Sequence, residues 1–314
     1  MTKQVKVSII IPVLNREFLI RETLDSILSQ TFIDWECIVV DDGSSDGTID
    51  VVNSYIMKDE RINLISRPKH RTAGGNAARN FGFEQARGEY IQWFDSDDLM
   101  LSDMIEKKVS LIEQGFDCVI GNAKVIGGEE ESRPIYSENF YFDLLIQKVR
   151  IETSKCLWRK KYIDEDNIFD EKVQRIQDWE FNLRNFKKIE NFYFLDEVTY
   201  LYRRHGNSIT MRNNQTRSFD LIFTYYTAFK QQEESRKSDN KICSYFFQSI
   251  NREMPVLLER REFKLSVKAL AYIFSIIPYT QLNKFNYLVQ SIFGIILFGV
   301  TGRGYRFFKL PKER

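Results

Sequence analysis

Cysteine is scarce and scattered. Its four copies, Cys37, Cys118, Cys156 and Cys243, form no CxxC pair, which excludes the common zinc and dithiol spacings. Buried, reduced thiols are the expectation, and they suit the cytosol. A charge bias is also missing. Lys and Arg number 45 and Asp and Glu 44, for a formal charge of +1, so bulk electrostatics imply no nucleic-acid partner. Histidine occurs twice; His70 sits in the basic loop "RPKHRTAGG" and takes no assigned role. No apolar run reaches membrane-spanning length. Leu288 to Val300, broken by Gln290 and Ser291, covers about 20 Å as a helix. A bilayer core is roughly 30 Å thick. A helix lying in the interface, or packed on the protein, is expected instead. The opening "MTKQVKVSIIIPVLN" lacks a signal peptide's long apolar stretch and cleavage site and reads as a first strand. There is no internal repeat and no long low-complexity segment.

What is present is an ordinary globular composition: 314 residues, 43% hydrophobic and 28% charged, enough for one large domain or two small ones. Aromatics reach 14%, which suits a large core and a sugar or membrane surface. Through residue 120, strand-like and helix-like patterns alternate. "VKVSIII", "WECIVV", "INLI" and "YIQWF" read as strands. The first is nearly continuous, as for a strand buried on both faces. Ile20, Leu24, Ile27 and Leu28 form the apolar stripe of a helix; "DGTIDVVNSYIM" and "NAARNFGFEQA" read as helices. This alternation predicts βαβ units and a mostly parallel sheet covered by helices, with ligands beyond the strands' carboxyl ends. Farther on, "TSKCLWRK" and "NFYFLDEVTYLYRR" read as strands and "DWEFNLRNFKK" as a helix. From residue 213 the pattern is mostly helical. The expected division is a catalytic domain at 1–212, with halves at 1–120 and 121–212, and a helical extension at 213–314.

Acidic clusters follow two of the strands. In "VVDDGSSDGT", Asp41 and Asp42 are either turn residues or ligands for a nucleobase N–H or ribose hydroxyl, with Ser45 or Asp46 capping the next helix. Gly74 and Gly75 allow a tight turn before a helix carrying Arg79, which is either a surface cation or a contact to phosphate or base. "FDSDD" places Asp95, Asp97 and Asp98 within four positions. Asp95 and Asp97 can converge on one hard cation, Mn²⁺ or Mg²⁺, which would cancel their repulsion and bind a diphosphate. In "RIQDWEFNLR", Asp178 and Glu180 compete as general base, and Asp178 is otherwise a helix cap or dipole partner. His205, in "LYRRHGNSIT", begins a loop able to close over a phosphate–metal site, beside Arg203 and Arg204.

In order, "VSIIIPVLN", "VVDDGSSDGT", "AARNFGFEQARGEYIQWFDSDD", "QDWEFNLR" and "YRRHGNSIT" resemble glycosyltransferase family 2, the inverting nucleotide-sugar enzymes of the GT-A fold. The resemblance spans roughly residues 5 to 210. It implies a Rossmann-like, mostly parallel sheet flanked by helices. Pro12 and Asn15 would line the nucleotide pocket; Asp42 would contact the base, assisted by Asp41, and Arg79 would sit beside the nucleotide. Asp95 and Asp97 would form the DxD motif, Asp97 ligating the metal directly with His205 near metal and diphosphate. Asp178 falls at the family's base, although Gln177 replaces the Glu of its usual "ED" pair. The implied reaction moves a hexose from a nucleotide-diphosphate donor, expected to be a UDP-sugar, to a glycan or lipid-linked hydroxyl, with surface polysaccharide assembly as the usual task. A nucleotidyltransferase and a non-catalytic scaffold are the alternatives. The basic, aromatic tail (Arg303, Arg306, Phe307, Phe308, Lys309, Lys312, Arg314) suggests peripheral membrane contact through residues 264–314, or packing on the core or a second subunit. A cytoplasmic location with docking at the membrane's inner face, and a homodimer, are carried as expectations.

Overall fold

The β-branched run near the N-terminus forms β1 (Val7–Val13), and both its faces are buried. The computed structural model describes residues 5–126, 137–163, 165, 168–203, 217–232, 240–279 and 294. After β1 come α1 (Ile20–Leu28), β2 (Trp35–Asp41), α2 (Thr48–Ile56), β3 (Ile62–Ser66), α3 (Gly75–Gln85) and β4 (Tyr90–Trp93). The next elements are β5 (Leu99–Met100), α4 (Met104–Ile112), β6 (Cys118–Ile126), α5 (Phe140–Leu145), β7 (Cys156–Arg159), α6 (Gln177–Phe186) and β8 (Phe192–Arg203). The eight strands form one sheet in the order β3-β2-β1-β4-β7-β6-β8-β5. Neighbours among β3, β2, β1 and β4 are parallel. The β7 strand is antiparallel to both β4 and β6, β6 and β8 are parallel, and β5 closes the edge antiparallel to β8.

The alternating geometry of β1 explains why its sequence is apolar throughout. Val7, Ile9, Ile11 and Val13 share a core with Ile20, Leu24 and Ile27 of α1, Val52 and Tyr55 of α2, and Ile105 and Val109 of α4. Ile10 points the other way, toward α3. There Gly82 lets helix and strand touch: a Cβ at Gly82 would lie 2.4 Å from Ile10 Cγ2 and 3.0 Å from Val40 Cγ2. Each such fully buried aliphatic side chain contributes about 1.5–3 kcal/mol by leaving water.

Two elements differ from the sequence expectation. In "TSKCLWRK", only Cys156–Arg159 joins the sheet; Thr153–Lys155 turn as a 3-10 helix, because the Ser154 carbonyl is taken by buried side-chain donors rather than by a strand. The long strand β6 was not expected. Its apolar residues, Cys118, Val119 and Ile120, give way at once to Gly121 and Asn122, and its pairing with β8 shifts register there.

The chain divides into two compact units, Met1–Lys172 with Gln177–Ile209, and Val173–Ile176 with Thr210–Arg314. The second unit holds α7 (Arg217–Gln231), α8 (Asn240–Glu259) and α9 (Phe263–Ile276). Aromatic contacts join these helices: Tyr226 stacks on Tyr272 at 4.1 Å, and Phe229 meets Phe246 edge-on. Among the described residues no helix is long and apolar enough to cross a membrane. The segment Leu288–Val300, apart from residue 294, and the basic tail lie outside the described residues.

The Gly82 contact gives the first prediction. Alanine would gain about 1 kcal/mol of helix propensity, but forcing a methyl into Ile10 costs about 1–3 kcal/mol. A 2.4 Å approach puts the steric cost toward the upper end of that range, so Gly82→Ala should lower the urea midpoint by an amount equivalent to up to about 2 kcal/mol. An unchanged midpoint would show that α3 does not press on β1 this closely.

Candidate active site

The carboxyl ends of β1, β2 and β4 meet at one rim. Asn15 adopts a left-handed backbone, φ 53°, a conformation that asparagine tolerates better than most residues. Its N–H donates to Ser44 Oγ at 3.0 Å, and its Oδ1 accepts the Ser45 N–H at 2.8 Å. The Arg16 N–H donates to Thr48 Oγ1 at 2.7 Å. These bonds fasten the β1 loop to the β2 loop. Asp41 is nearly buried, and its carboxylate accepts the N–H groups of Gly43 at 3.0 Å and Ser44 at 3.1 Å. Asp41 thus shapes the turn. Asp46, rather than Ser45, serves the start of α2, accepting the Thr48 N–H at 3.0 Å. Asp42 pairs with Arg67 at the end of β3, and Arg67 is also held by the carbonyls of Pro68 and Arg71.

Pro12 lies in a central strand, where a missing N–H ordinarily breaks the ladder. Here it does not. Phe94 N–H donates to the Ile10 carbonyl at 2.9 Å, so the even-numbered residues of β1 face β4. The register of β4 ends at Trp93 opposite Ile10. Pro12 therefore faces the gap that opens as β4 leaves the sheet.

That departing chain carries Asp95, Asp97 and Asp98, and three carboxylates so close must be compensated separately. Asp95 accepts from Arg79 Nη2 at 2.8 Å. Arg79 is itself buried on α3, its guanidinium 5.6 Å from the Phe169 ring. Burial still raises the Asp95 pKa, with Arg79 opposing and Asp97 adding to the rise. Asp97 faces Arg16 Nη2 at 3.4 Å. Asp98 is buried; one oxygen accepts the Arg203 N–H at 2.9 Å, while Oδ2 makes no hydrogen bond. Burial, with Asp95 next, pushes the Asp98 carboxyl up to about 9, so it holds a proton at neutral pH.

The other wall comes from α6 and the turn before β7. Asp178 lies in the first turn of α6 and is half-buried. Thr153 Oγ1 reaches its Oδ1 at 3.5 Å. Burial raises Asp178 to about 7; Arg79 opposes the rise, and Asp95 and Glu152 add to it. Asp178 therefore feels the same Arg79–Asp95 pair that edges the β4 loop. Glu180, its competitor in the sequence, is buried and bound twice by Arg184, at 2.6 and 3.0 Å. That pairing makes Glu180 a structural residue. Asn182 secures the neighbouring chain by donating to the Ile151 carbonyl at 2.7 Å.

The structure thus brings Asn15, Asp41, Asp42, Arg79, Asp95, Asp97 and Asp178 to one edge of the first unit, with Pro12 at its seam. His205 lies outside the described residues. Sequence reasoning passed over Arg16, Arg67, Glu152 and Thr153. The first two meet recognised acids that are distant in sequence, Asp97 and Asp42, and nothing in "RIETSK" marks Glu152 or Thr153. Among the described residues, no three His, Cys, Asp or Glu side chains gather to hold a metal alone. Asp95 and Asp97 nevertheless fit a hard cation. Both are carboxylates that the fold already sets opposite arginines, and Mg²⁺-type sites often use one or two carboxylates plus substrate phosphates.

The model for "Glycosyl transferase family 2" matches residues 8–193. The uncharacterized glycosyltransferase EpsJ of Bacillus subtilis is 32% identical over 219 residues, 65% of this chain and 62% of that protein. Poly(ribitol-phosphate) beta-glucosyltransferase of Bacillus spizizenii is 31% identical over 214 residues, 66% of this chain and 34% of that protein. The chain thus spans less than two thirds of the length of these relatives. Among solved structures, S. aureus TarS 1–349 in complex with UDP-GlcNAc superposes with a TM-score of 0.60 at 19% identity, over 87% of this chain and 89% of that one; this likeness establishes the fold. The family match sets aside the nucleotidyltransferase alternative. With the family's pattern covering more than half its length on a GT-A sheet, the chain belongs to glycosyltransferase family 2.

Proposed function

We propose that this protein is a metal-dependent, inverting glycosyltransferase that moves a hexose from a nucleotide-diphosphate donor, a UDP-sugar, to an acceptor hydroxyl. The observation that carries the reading is that the Asp178 carboxyl lies near enough to Arg79 and Asp95 to feel both charges, while Arg79 binds Asp95 at 2.8 Å. One wall suits a leaving diphosphate and the other an attacking hydroxyl. In the proposed arrangement Asp42 and Arg67 receive the base and ribose, and Asn15 and Pro12 line the floor beneath them. Asp97 and Asp95 would hold Mn²⁺ or Mg²⁺, with His205 at its side. A divalent ion there supplies Lewis-acid neutralisation of the charge that gathers on the departing phosphate. Arg79 keeps Asp95 aimed at that position. Asp178, its pKa raised to about 7, takes the proton from the acceptor hydroxyl, help worth typically 10²- to 10⁴-fold. With Asp178 as general base the acceptor hydroxyl attacks directly, so the displacement is single and the configuration at the anomeric carbon inverts.

The relatives' names support a role in assembling surface polysaccharide, since one is named for glucosylating poly(ribitol-phosphate). With an acceptor of that kind, polymeric or lipid-linked, the reaction would take place at the inner face of the cell membrane. Exposed Phe263 and Val267 beside exposed Lys264 and Lys268 on α9 support peripheral contact there.

The test is a panel of nucleotide-sugars assayed with Mn²⁺ for slow hydrolysis and transfer, the product's anomeric configuration being read by NMR. A retained configuration would overturn the single displacement. Asp97→Ala should abolish Mn²⁺-dependent turnover; unchanged turnover would favour a scaffold or another site.

The Asp178 carboxyl predicts an acid limb in the pH profile of kcat/KM, with its midpoint at or below about 7, and Asp178→Asn should cost 10²- to 10⁴-fold. Stability should move the opposite way. Unfolded, an aspartate ionises near 4; folded, Asp178 does so at about 7. Between those values the folded state binds more protons, so wild-type stability falls as pH rises through the window. Asparagine removes that loss. The Tm of Asp178→Asn relative to wild type should therefore be higher at pH 8 than at pH 4, and a flat difference would show that Asp178 is not perturbed.

A further inference from the structure

Behind the acidic rim, α4 turns a lysine into the core. Lys108 is fully buried, although its neighbours on that face, Met104, Ile105, Val109 and Ile112, are apolar. A methionine would fill the same space. The ammonium instead donates to Gln92 Oε1 at 3.0 Å and reaches the Ser154 carbonyl at 3.4 Å. Gln92, also fully buried, passes its own Nε2 to Ser154 O at 3.0 Å and to Trp93 O at 2.7 Å. The Ser154 carbonyl thus faces two side-chain donors, one from β4 and one from α4. Burial lowers the Lys108 pKa to about 7, with the nearby Cys156 and Cys118 acting weakly against it. Placing such a group in a core costs several kcal/mol, a large part of a domain's net stability. Packing alone does not explain its presence.

The two elements it joins do. Gln92 lies on the strand that runs directly into Asp95 and Asp97. Ser154 follows Thr153, whose hydroxyl reaches Asp178, in the turn that also carries Glu152. We propose that Lys108, acting through Gln92, is a positioning residue: it clamps the Glu152–Lys155 turn onto β4 and so sets Thr153 and Asp178 at a fixed separation from Asp95 and Asp97. The assignment rests on the transfer reaction above. Reacting groups tolerate little slack, since a shift of about 1 Å costs on the order of 10²-fold in rate. A directional, buried polar clamp holds that spacing in a way that interchangeable apolar contacts do not.

The experiment compares the full-length wild type with Lys108→Met, Gln92→Leu and the double variant. The readouts are kcat and KM for Mn²⁺-dependent hydrolysis of UDP-glucose or UDP-GlcNAc, the Tm, and amide hydrogen exchange across residues 150–156. Lys108→Met should lower kcat by about 10- to 100-fold, leave the donor KM within about two-fold, leave Tm unchanged or raised, and speed exchange in 150–156. The double variant should be no worse than either single one, because both side chains act through one clamp. A wild-type kcat in Lys108→Met, or kcat, KM and Tm falling together, would overturn the proposal. If Lys108→Met fails to fold, Gln92→Leu decides by the same readouts. If the wild type hydrolyses neither donor, the transfer reading fails for these sugars. The exchange measurement then decides for the clamp alone: unaltered exchange refutes it, and faster exchange confined to 150–156 sustains it.

Discussion

Three carboxylates within four positions, at the rim of a sheet buried on both faces, form the constraint around which the site is arranged. Water cannot screen them fully there, and their mutual repulsion grows as the local dielectric falls. Each is met differently. Asp95 has a buried arginine from α3, Asp97 an arginine from the β1 loop, and Asp98 a proton together with a backbone amide of β8. Three separate elements are thereby drawn to the end of β4.

The β1 and β2 side of the rim is fixed by loop-to-loop bonds rather than by buried apolar contacts. Asn15, Arg16 and Glu17 exchange side-chain and backbone hydrogen bonds with Ser44, Ser45, Asp46, Gly47 and Thr48 across the two loops. Each is worth about 1 kcal/mol net, and together they make one rigid floor out of two turns. The α6 side is assembled by a different principle. Asp178 sits on a helix whose neighbours Glu180 and Asn182 are spent on internal pairing, which leaves its carboxyl in the field of Arg79 and Asp95.

The first half of the fold was legible because its signals are local. Continuous β-branched runs, one-face helical stripes and glycine punctuation place β1 through β4 within a few residues, and the acids at strand ends mark the site. The second half was less so. In β6, Gly121 and Asn122 interrupt the apolar pattern at a register shift that only its partner β8 explains. The turn at Thr153–Lys155 reads as strand because its residues are β-compatible, while its shape is set by Gln92 and Lys108, distant in sequence. The same distance hid Glu152 and Thr153. A residue whose role comes from tertiary neighbours, in a segment without composition of its own, leaves no trace in periodicity. Asp178 and Glu180 show the converse. The sequence offered both, and the partner Arg184, one helical turn beyond Glu180, separates them.

Pro12 carries a consequence of its own. Where β1 and β4 part, any other amino acid would extend an amide hydrogen into the widening seam, and that hydrogen would have no strand to meet. It would draw a water molecule into that seam to satisfy it. An imino acid there has no such hydrogen, so the two strands part without leaving an amide unmatched.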